Sequence, residues 1–290
     1  MFNIFLVFLL VFSLVSSNPI ENNETIVECG ISPALNRYGN ILNNDENRIM
    51  GGVISPPQFW PWLAALKTSR PGCSAEIIGK RWILTAAHCE NIIKDGGFII
   101  VGTNDENEIN EKTKYDILKH YLPVKSSSDI MIIELSRDLE YNENISPICI
   151  SKTFLPSEGD NAIVAGFGLL FIEYDPYEIT GVDGVPTNLL HEGIVEIKNL
   201  TECEKINEKI DGVICAGGIN RGVMSGDSSG PIMGIKDNKF YLFGEVHGGK
   251  ALETEANDPL TVNEIDSYTT VSLHCDWIEE ITNGDVKCEN

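Results

Sequence analysis

The sequence predicts an all-β fold of the sandwich or barrel type that ends in a helix. Short apolar runs of strand-forming residues recur between Gly, Pro and Asn residues, and this spacing favours a sandwich or a barrel over alternating strands and helices. A chain of 290 residues is long enough for one large domain or two small ones. The clearest runs are Trp82–Thr85, Gly97–Val101, Ile130–Ile133, Ala162–Ala165 and Phe240–Phe243.

The helix is predicted near the C-terminus. Leu273, Trp277, Ile278 and Ile281 share one face at helical spacing, and Gly284 follows as a stop signal. The sequence contains no internal repeat and no low-complexity linker, so a division of the fold into two halves would not be visible in the composition.

Residues 1–17 predict a secretory signal peptide. An almost uninterrupted apolar run from Ile4 to Val15 is too short to span a bilayer, and small residues follow it before Asn18. Residues 18–48 are polar, rich in Asn and Glu, and predict a poorly packed extension. No later segment approaches the length of a membrane span. We therefore expect a secreted, extracellular protein with no membrane partner.

Eight cysteines follow the signal peptide. Because their number is even and no Cys-x-x-Cys pair occurs, disulfides are favoured over metal sites, although the spacing alone does not decide the pairing. Candidate glycosylation sites in the same compartment are Asn23, Asn144 and Asn199, each the start of an Asn-x-Ser/Thr triplet.

The formal net charge is −22, without a basic patch or tail. This charge favours solubility and opposes binding to a nucleic-acid backbone or an anionic membrane surface. We therefore expect no nucleic-acid partner.

Three dispersed residues suggest chemistry. His88 follows a predicted strand in the segment LTAAHC, Asp129 opens the apolar run DIMIIEL, and Ser228 lies in GDSSGP. Each is unremarkable alone, because a single histidine is more often structural and an aspartate before a strand is usually a turn residue.

Together, in the order His, Asp, Ser, these motifs resemble the chymotrypsin-like (trypsin-like) serine peptidases over residues 29–281. The resemblance implies two antiparallel six-stranded β-barrels with a C-terminal helix, and a secreted endopeptidase acting on a protein or peptide substrate. Ser228 would be the nucleophile, His88 its general base, and Asp129 the group that orients His88 and stabilises its charged form. The backbone N–H groups of Gly226 and Ser228 would form the oxyanion hole.

The resemblance also implies activation by proteolysis. Residues 48–52 (RIMGG) resemble the family's cleavage site, with Met50 as a mild departure. Cleavage after Arg48 by an activating protease would free the α-amino group of Ile49 to pair with Asp227. The chain then divides into a signal peptide (1–17), a pro-segment tethered by a disulfide (18–48) and a peptidase domain (49–290).

The family pattern implies disulfide partners for the cysteines and leaves the last two as the fourth pair. The expected pairs are Cys73 with Cys89, Cys203 with Cys215, Cys29 with Cys149 as the tether of the pro-segment, and Cys275 with Cys288.

Substrate preference depends on the residues that the resemblance assigns to the pocket. Gly222 stands where the trypsin branch has an aspartate, while Asp266 stands on the opposite wall, where many relatives have glycine. Gly249 belongs to the strand that would pair with substrate. The expected result is broad cleavage, after Arg or Lys and also after Leu, Phe or Tyr.

Three departures favour a rival interpretation, a non-catalytic homologue that serves as a binding or cofactor module. Ser229 replaces the glycine that usually follows the nucleophile, and Met224 replaces a frequent cysteine. His247 replaces a serine near Asp129 and would compete for its hydrogen bond.

The remaining expectations concern ligands and partners. His191-Glu192 lacks the second histidine of a zinc-protease helix, and we expect no metal and no cofactor. The acidic loop 105–111 leaves calcium binding open as an alternative. We expect a monomer, with a protein inhibitor as a further candidate partner.

Overall fold

A computed structural model describes residues 27–39, 52–68, 72–124, 128–174, 182–206, 212–253 and 261–290. The predicted signal peptide, Asn23, Arg48 and Ile49 lie outside the described residues. No helix in the described ranges is long and apolar enough to cross a bilayer.

Strands dominate the described residues. They are β1 (Val53–Ile54), β2 (Leu63–Lys67), β3 (Cys73–Gly79), β4 (Trp82–Thr85), β5 (Phe98–Val101), β6 (Lys114–Tyr121), β7 (Met131–Leu135), β8 (Cys149–Ile150), β9 (Asn161–Gly166), β10 (Leu170–Tyr174), β11 (Val182–Val185), β12 (His191–Lys198), β13 (Val213–Ile219), β14 (Pro231–Lys236), β15 (Lys239–Glu253) and β16 (Val262–Thr270). The α-helices are α1 (Leu35–Tyr38), α2 (Glu90–Lys94), α3 (Leu200–Glu204) and α4 (Cys275–Ile281), and the 3₁₀ helices are Ala87–Cys89 and Val271–His274.

The strands form two closed antiparallel barrels of six strands each. The first barrel has the order β2-β3-β4-β7-β6-β5, and β5 closes it by pairing with β2. The second has the order β12-β13-β16-β15-β14-β9, and β9 closes it by pairing with β12. Strands β1 and β8 attach to the second barrel at β12 and β15.

The predicted fold class is confirmed. All five predicted runs lie in strands, namely β4, β5, β7, β9 and β15, because their apolar side chains fill the barrel interiors. The predicted helix is α4, in which Ile278 is fully buried. Leu273, predicted to share its face, lies instead in the preceding 3₁₀ helix and is exposed. Helix α4 ends before Gly284, whose positive φ of 79° suits a residue without a Cβ.

Four disulfides staple the fold. They are Cys29–Cys149, Cys73–Cys89, Cys203–Cys215 and Cys275–Cys288, the same four pairs that the resemblance implies. The first joins the segment before β1 to β8, across a sequence separation of 120 residues. The second staples β3 to the 3₁₀ helix that carries His88.

The N-terminal segment packs more tightly than its polar composition predicts. Glu192 on β12 is completely buried and accepts hydrogen bonds from four side chains. The donors are Arg37 Nη1 (2.6 Å), Tyr38 Oη (2.8 Å), Ser55 Oγ (2.7 Å) and Trp60 Nε1 (2.7 Å). The prediction of a poorly packed extension is therefore wrong for residues 27–39.

The two barrels meet at a buried pair of carboxyl groups. Glu76 on β3 and Glu245 on β15 are both completely buried, and none of their four carboxyl oxygens receives a hydrogen bond from a described donor. Burial raises the pKa of Glu76 well above its ordinary range, and the neighbouring charge of Glu245 raises it further. Burial likewise raises the pKa of Glu245. These pKa shifts predict that one of the two carboxyl groups keeps a proton at neutral pH and donates it to the other in a hydrogen bond.

Replacement of Glu76 by glutamine tests this protonation. The folded protein keeps the proton, whereas the unfolded chain releases it above the ordinary glutamate pKa of about 4.3, so wild-type stability falls as the pH rises toward the raised folded-state pKa. Glutamine does not titrate, and its amide donates to Glu245. The melting temperature of Glu76→Gln relative to wild type should therefore rise between pH 5 and pH 8. The exposed Glu143→Gln is the control, and an equal difference at both pH values contradicts the proposed proton.

Candidate active site

His88 lies at the rim of the first barrel. It belongs to the 3₁₀ helix that follows β4 and is fixed by the neighbouring Cys73–Cys89 disulfide. Its backbone N–H donates to Asp129 Oδ1 (2.7 Å), and its ring Nδ1 lies 2.6 Å from Asp129 Oδ2. The carboxylate therefore fixes both the backbone and the ring, and 39% of the side-chain surface remains exposed.

Asp129 lies just before β7, with only 9% of its side-chain surface exposed. Burial alone would raise its pKa. Hydrogen bonds from His247 and His88 and the charge of His88 outweigh burial and hold the pKa well below its ordinary range. Asp129 is therefore ionised at neutral pH.

A second histidine contacts the same carboxylate. His247 on β15 places Nδ1 2.5 Å from Asp129 Oδ2, the oxygen that also faces His88. The two rings are nearly perpendicular, with their centroids 6.2 Å apart. The sequence-based expectation that His247 competes for Asp129 agrees with this geometry.

Ser228 lies in the loop between β13 and β14. Its backbone carbonyl accepts a hydrogen bond from Ser74 N (2.9 Å), which anchors the loop to β3 of the first barrel. Its side chain is half-buried. Among the described hydrogen bonds none joins its hydroxyl to His88, a contact that often tightens only when substrate binds.

Ser229 connects the serine loop to the histidine loop. It is completely buried, its N–H donates to Val246 O (2.8 Å), and its Oγ accepts from Ala86 N (2.7 Å), two residues before His88. Its φ of 65° lies in the left-handed region that favours glycine. The hydrogen bond to Ala86 offsets this conformational cost, so the second serine has a structural contact of its own.

The structure brings the predicted oxyanion residues together in one turn. Gly226 has a φ of 99°, a conformation that a residue with a Cβ rarely adopts. The backbone N–H groups of Gly226 and Ser228 donate no hydrogen bond within the described part of the chain. Both donors therefore remain available for a ligand oxygen.

Asp227, between Gly226 and Ser228, has a buried side chain. Its two carboxylate oxygens accept from Gly168 N (2.7 Å) and Met224 N (2.9 Å). Burial raises the pKa of Asp227 to about 6, against these two hydrogen bonds, which lower it. The side chain is thus a buried acid held by amides.

The three predicted pocket residues converge. Asp266 on β16 is completely buried, pairs with Gly249 on β15, and accepts hydrogen bonds from Val223 N (3.2 Å) and Tyr268 Oη (3.3 Å). A Cβ built on Gly249 would lie 2.2 Å from Asp266 Oδ1, and one built on Gly222 would lie 3.1 Å from Oδ2. The carboxyl group therefore occupies the space between the two glycines.

Sequence reasoning missed Glu264, a second acid in the same space. Its side chain is 2% exposed, and a Cβ built on Gly222 would lie 1.9 Å from its Cγ. Burial raises the pKa of Glu264, and the neighbouring charge of Asp266 raises it further. The sequence could have revealed Glu264, because residues two apart on one strand share a face and Glu264 lies two residues before Asp266 on β16.

A family model described as Trypsin matches residues 49–278. This chain belongs to the trypsin family. Membership supports a serine protease with protein substrates, and the two barrels are the architecture that the resemblance implied.

The curated relatives that this chain matches are longer proteins, and the similarity covers only part of each. This chain is 27% identical over 279 residues to transmembrane protease serine 9 of Rattus norvegicus, covering 91% of the chain and 24% of the relative. It is 29% identical to coagulation factor XI of Bos taurus (82% and 38% covered) and to transmembrane protease serine 11G of Rattus norvegicus (81% and 56%). The chain thus spans between a quarter and just over half of their lengths.

One departure from the trypsin family pattern, Met224, has a packing explanation. Met224 is buried and packs with Ala251 and Val262, so apolar contacts replace the family's cysteine there.

Two of the candidate glycosylation sites lie among the described residues. Asn199 is exposed and caps α3 by accepting a hydrogen bond from Thr201 N (3.1 Å), and Asn144 is partly exposed.

The Ser229 hydroxyl makes a testable contribution to stability. Ser229→Ala keeps the conformational cost of a left-handed backbone and also leaves the buried Ala86 N–H without an acceptor. The lost hydrogen bond should lower the free energy of unfolding by about 1–3 kcal/mol. Ser229→Gly loses the same acceptor but relieves the backbone, so it should be about 1 kcal/mol more stable than Ser229→Ala.

Urea unfolding of both variants measures this difference, with the exposed Ser225→Ala in the same loop as the control. Wild-type stability of Ser229→Ala would show that the hydroxyl contributes nothing.

Proposed function

We propose that this protein is a serine endopeptidase that hydrolyses peptide bonds through His88, Asp129 and Ser228. The observation that carries the proposal is the double contact between Asp129 and His88, at 2.6 Å to the ring and 2.7 Å to the backbone. An ionised carboxylate on Nδ1 keeps the ring proton there and leaves the Nε2 lone pair to act as a base.

The proposed reaction follows from these positions. His88 Nε2 takes the proton of the Ser228 hydroxyl as Oγ attacks the substrate carbonyl carbon, and Asp129 stabilises the resulting imidazolium. The N–H groups of Gly226 and Ser228 stabilise the oxyanion. His88 then gives its proton to the leaving amine, and a water molecule, activated by the same base, hydrolyses the acyl-enzyme.

We further propose that the chain is made as a zymogen. Asp227 is a buried carboxyl group that receives two amide hydrogen bonds and has no described cationic partner. The α-ammonium group of Ile49, freed by cleavage after Arg48, would supply that cation and order the neighbouring oxyanion turn.

The same proposal assigns the chain's segments. Residues 1–17 would be a signal peptide that directs secretion, and residues 18–48 a pro-segment. The Cys29–Cys149 disulfide would keep the pro-segment attached to the peptidase domain, residues 49–290, after cleavage. An activating protease and a protein inhibitor are the partners that such a cycle requires.

The alternative function is a non-catalytic binding module. His247 favours this alternative, because Asp129 Oδ2 accepts hydrogen bonds from both His88 and His247. The hydrogen bond that orients His88 therefore has a competitor. Sharing weakens the orientation of His88 without removing the base or the nucleophile. The structure therefore supports the enzyme better, with a lowered efficiency.

A fluorophosphonate probe tests the function directly. The chain cleaved after Arg48 should label on Ser228, while the uncleaved chain and Arg48→Gln should stay unlabelled, because neither has the Ile49 ammonium group that would pair with Asp227 and hold the oxyanion turn rigid. Ser228→Ala should abolish labelling and lower kcat by about 10⁶-fold, whereas Ser229→Gly should retain or increase activity. An unlabelled cleaved chain would favour the binding module.

Specificity gives a second test. We propose that Asp266 attracts Arg and Lys side chains and that cleavage also occurs after Leu, Phe and Tyr. Asp266→Gly should lower kcat/KM for an Arg peptide roughly 10–100-fold relative to the matched Leu peptide. Burial raises the pKa of Asp266 well above its ordinary range, so a cationic substrate side chain would have to ionise it on binding. Asp266→Asn keeps the shape and removes this ability to ionise, and the exposed Asp276→Asn is the control. An unchanged Arg-to-Leu ratio would remove Asp266 from the pocket.

A further inference from the structure

Three side chains with metal-binding atoms converge in the cleft between the two barrels. Their ligand atoms, one each from His88, Asp129 and His247, all lie within 4.8 Å of one another. The two Nδ1 atoms approach the same oxygen, Asp129 Oδ2, from two different barrels, at 2.6 and 2.5 Å. Two imidazoles and one carboxylate are a ligand set that zinc takes in proteins, with the fourth position left open.

The surroundings of this cluster also suit a cation. Side-chain exposures of 39% for His88 and 25% for His247 leave the rings open to the cleft. The other oxygen of Asp129 is fixed by the His88 N–H (2.7 Å), the kind of outer hydrogen bond that orients a ligating carboxylate. The formal net charge of −22 favours the approach of a cation.

We propose that His88, Asp129 and His247 form a binding site for a divalent zinc ion, which inhibits the enzyme reversibly. The binding itself is independent of the proposed function, and only the inhibition rests on it. Zinc would coordinate Nδ1 of both rings and Oδ2 of Asp129, in place of the two hydrogen bonds.

The inhibition follows from the tautomer of His88. A neutral imidazole carries one ring proton, and with Nδ1 bound to zinc that proton must lie on Nε2. Nε2 then has no lone pair to accept the proton of Ser228. Removal of zinc by a chelator returns the proton to Nδ1 and restores the base.

The required movement is small. Zinc bonds of about 2.0–2.2 Å separate two tetrahedral ligand atoms by roughly 3.4 Å, so each ring must withdraw from Oδ2 by less than about 1 Å. His88 lies on the 3₁₀ helix after β4 and His247 on β15, and the exposed part of each side chain leaves the rings space to move. Nitrogen ligands select zinc over calcium and magnesium, which prefer oxygen.

Calorimetric titration of zinc chloride into the purified full chain tests the site without using activity. We expect one zinc per chain in the wild type and at least about tenfold weaker binding in His247→Gln, which keeps a hydrogen-bond donor but is a poor ligand. His88→Gln should weaken binding equally. His274→Gln, which removes a histidine elsewhere, should bind as the wild type does, and calcium should not compete.

Cobalt(II) in place of zinc provides a second measurement, because a site with these ligands should give visible absorption that His247→Gln lacks. If the cleaved chain is active, zinc should inhibit it, EDTA should reverse the inhibition, and His247→Gln should raise the inhibitory concentration at least about tenfold. Zinc binding that is absent, or equal in wild type and His247→Gln, overturns the site. Binding with no protease activity supports the site and counts against the proposed function alone.

Discussion

The carboxylate of Asp129 is the contact on which the proposed active site depends. It receives the His88 backbone N–H and ring from the first barrel and the His247 ring from the second. These hydrogen bonds outweigh the cost of burial and keep the group ionised. Asp129 and His88 both belong to the first barrel, so a relative shift of the two barrels would change the distance to His247 and leave both His88 contacts in place. The packing of the barrels therefore decides how strongly His247 competes for the carboxylate. Ser229 adds a second link across the same boundary through Ala86.

Buried acids are the common feature of the surroundings. The Glu76–Glu245 pair lies between the barrels, Asp227 lies under the oxyanion turn, and the pocket holds Asp266 beside Glu264. A buried carboxyl group is stable only when neutral or when donors and cations compensate it. The buried carboxyl groups therefore need compensation by positive charge or protons. In the proposed function, protons would supply it at the Glu76–Glu245 pair, a new N-terminal ammonium group at Asp227, and a substrate side chain at Asp266. Such an interior makes the molecule sensitive to protonation and to cations.

Much of the fold and of the candidate site was predictable from the sequence, because both depend on patterns within short segments. Apolar runs marked the strands, and the motifs around His88, Asp129 and Ser228 led to the trypsin family. Long-range partners were not predictable. The acceptor role of Ser229 toward Ala86 joins residues 143 apart in sequence, and a glutamate inside an apolar strand, such as Glu76, would be expected to face solvent. The polar composition of residues 18–48 gave no indication that Ala34 and Tyr38 are buried in the core.

The buried Glu192 has a consequence for how a cleaved form of this protein would behave in the laboratory. Tyr38 donates to this residue, and Val53 pairs with it in the sheet, so the chain is held at the same point on both sides of Arg48. After a cut at Arg48, the two pieces would stay attached through Glu192 and through the Cys29–Cys149 disulfide. The cleaved material should elute as one particle in size-exclusion chromatography and separate into two bands only on a reducing denaturing gel. Apparent molecular mass in solution would therefore not distinguish the two forms.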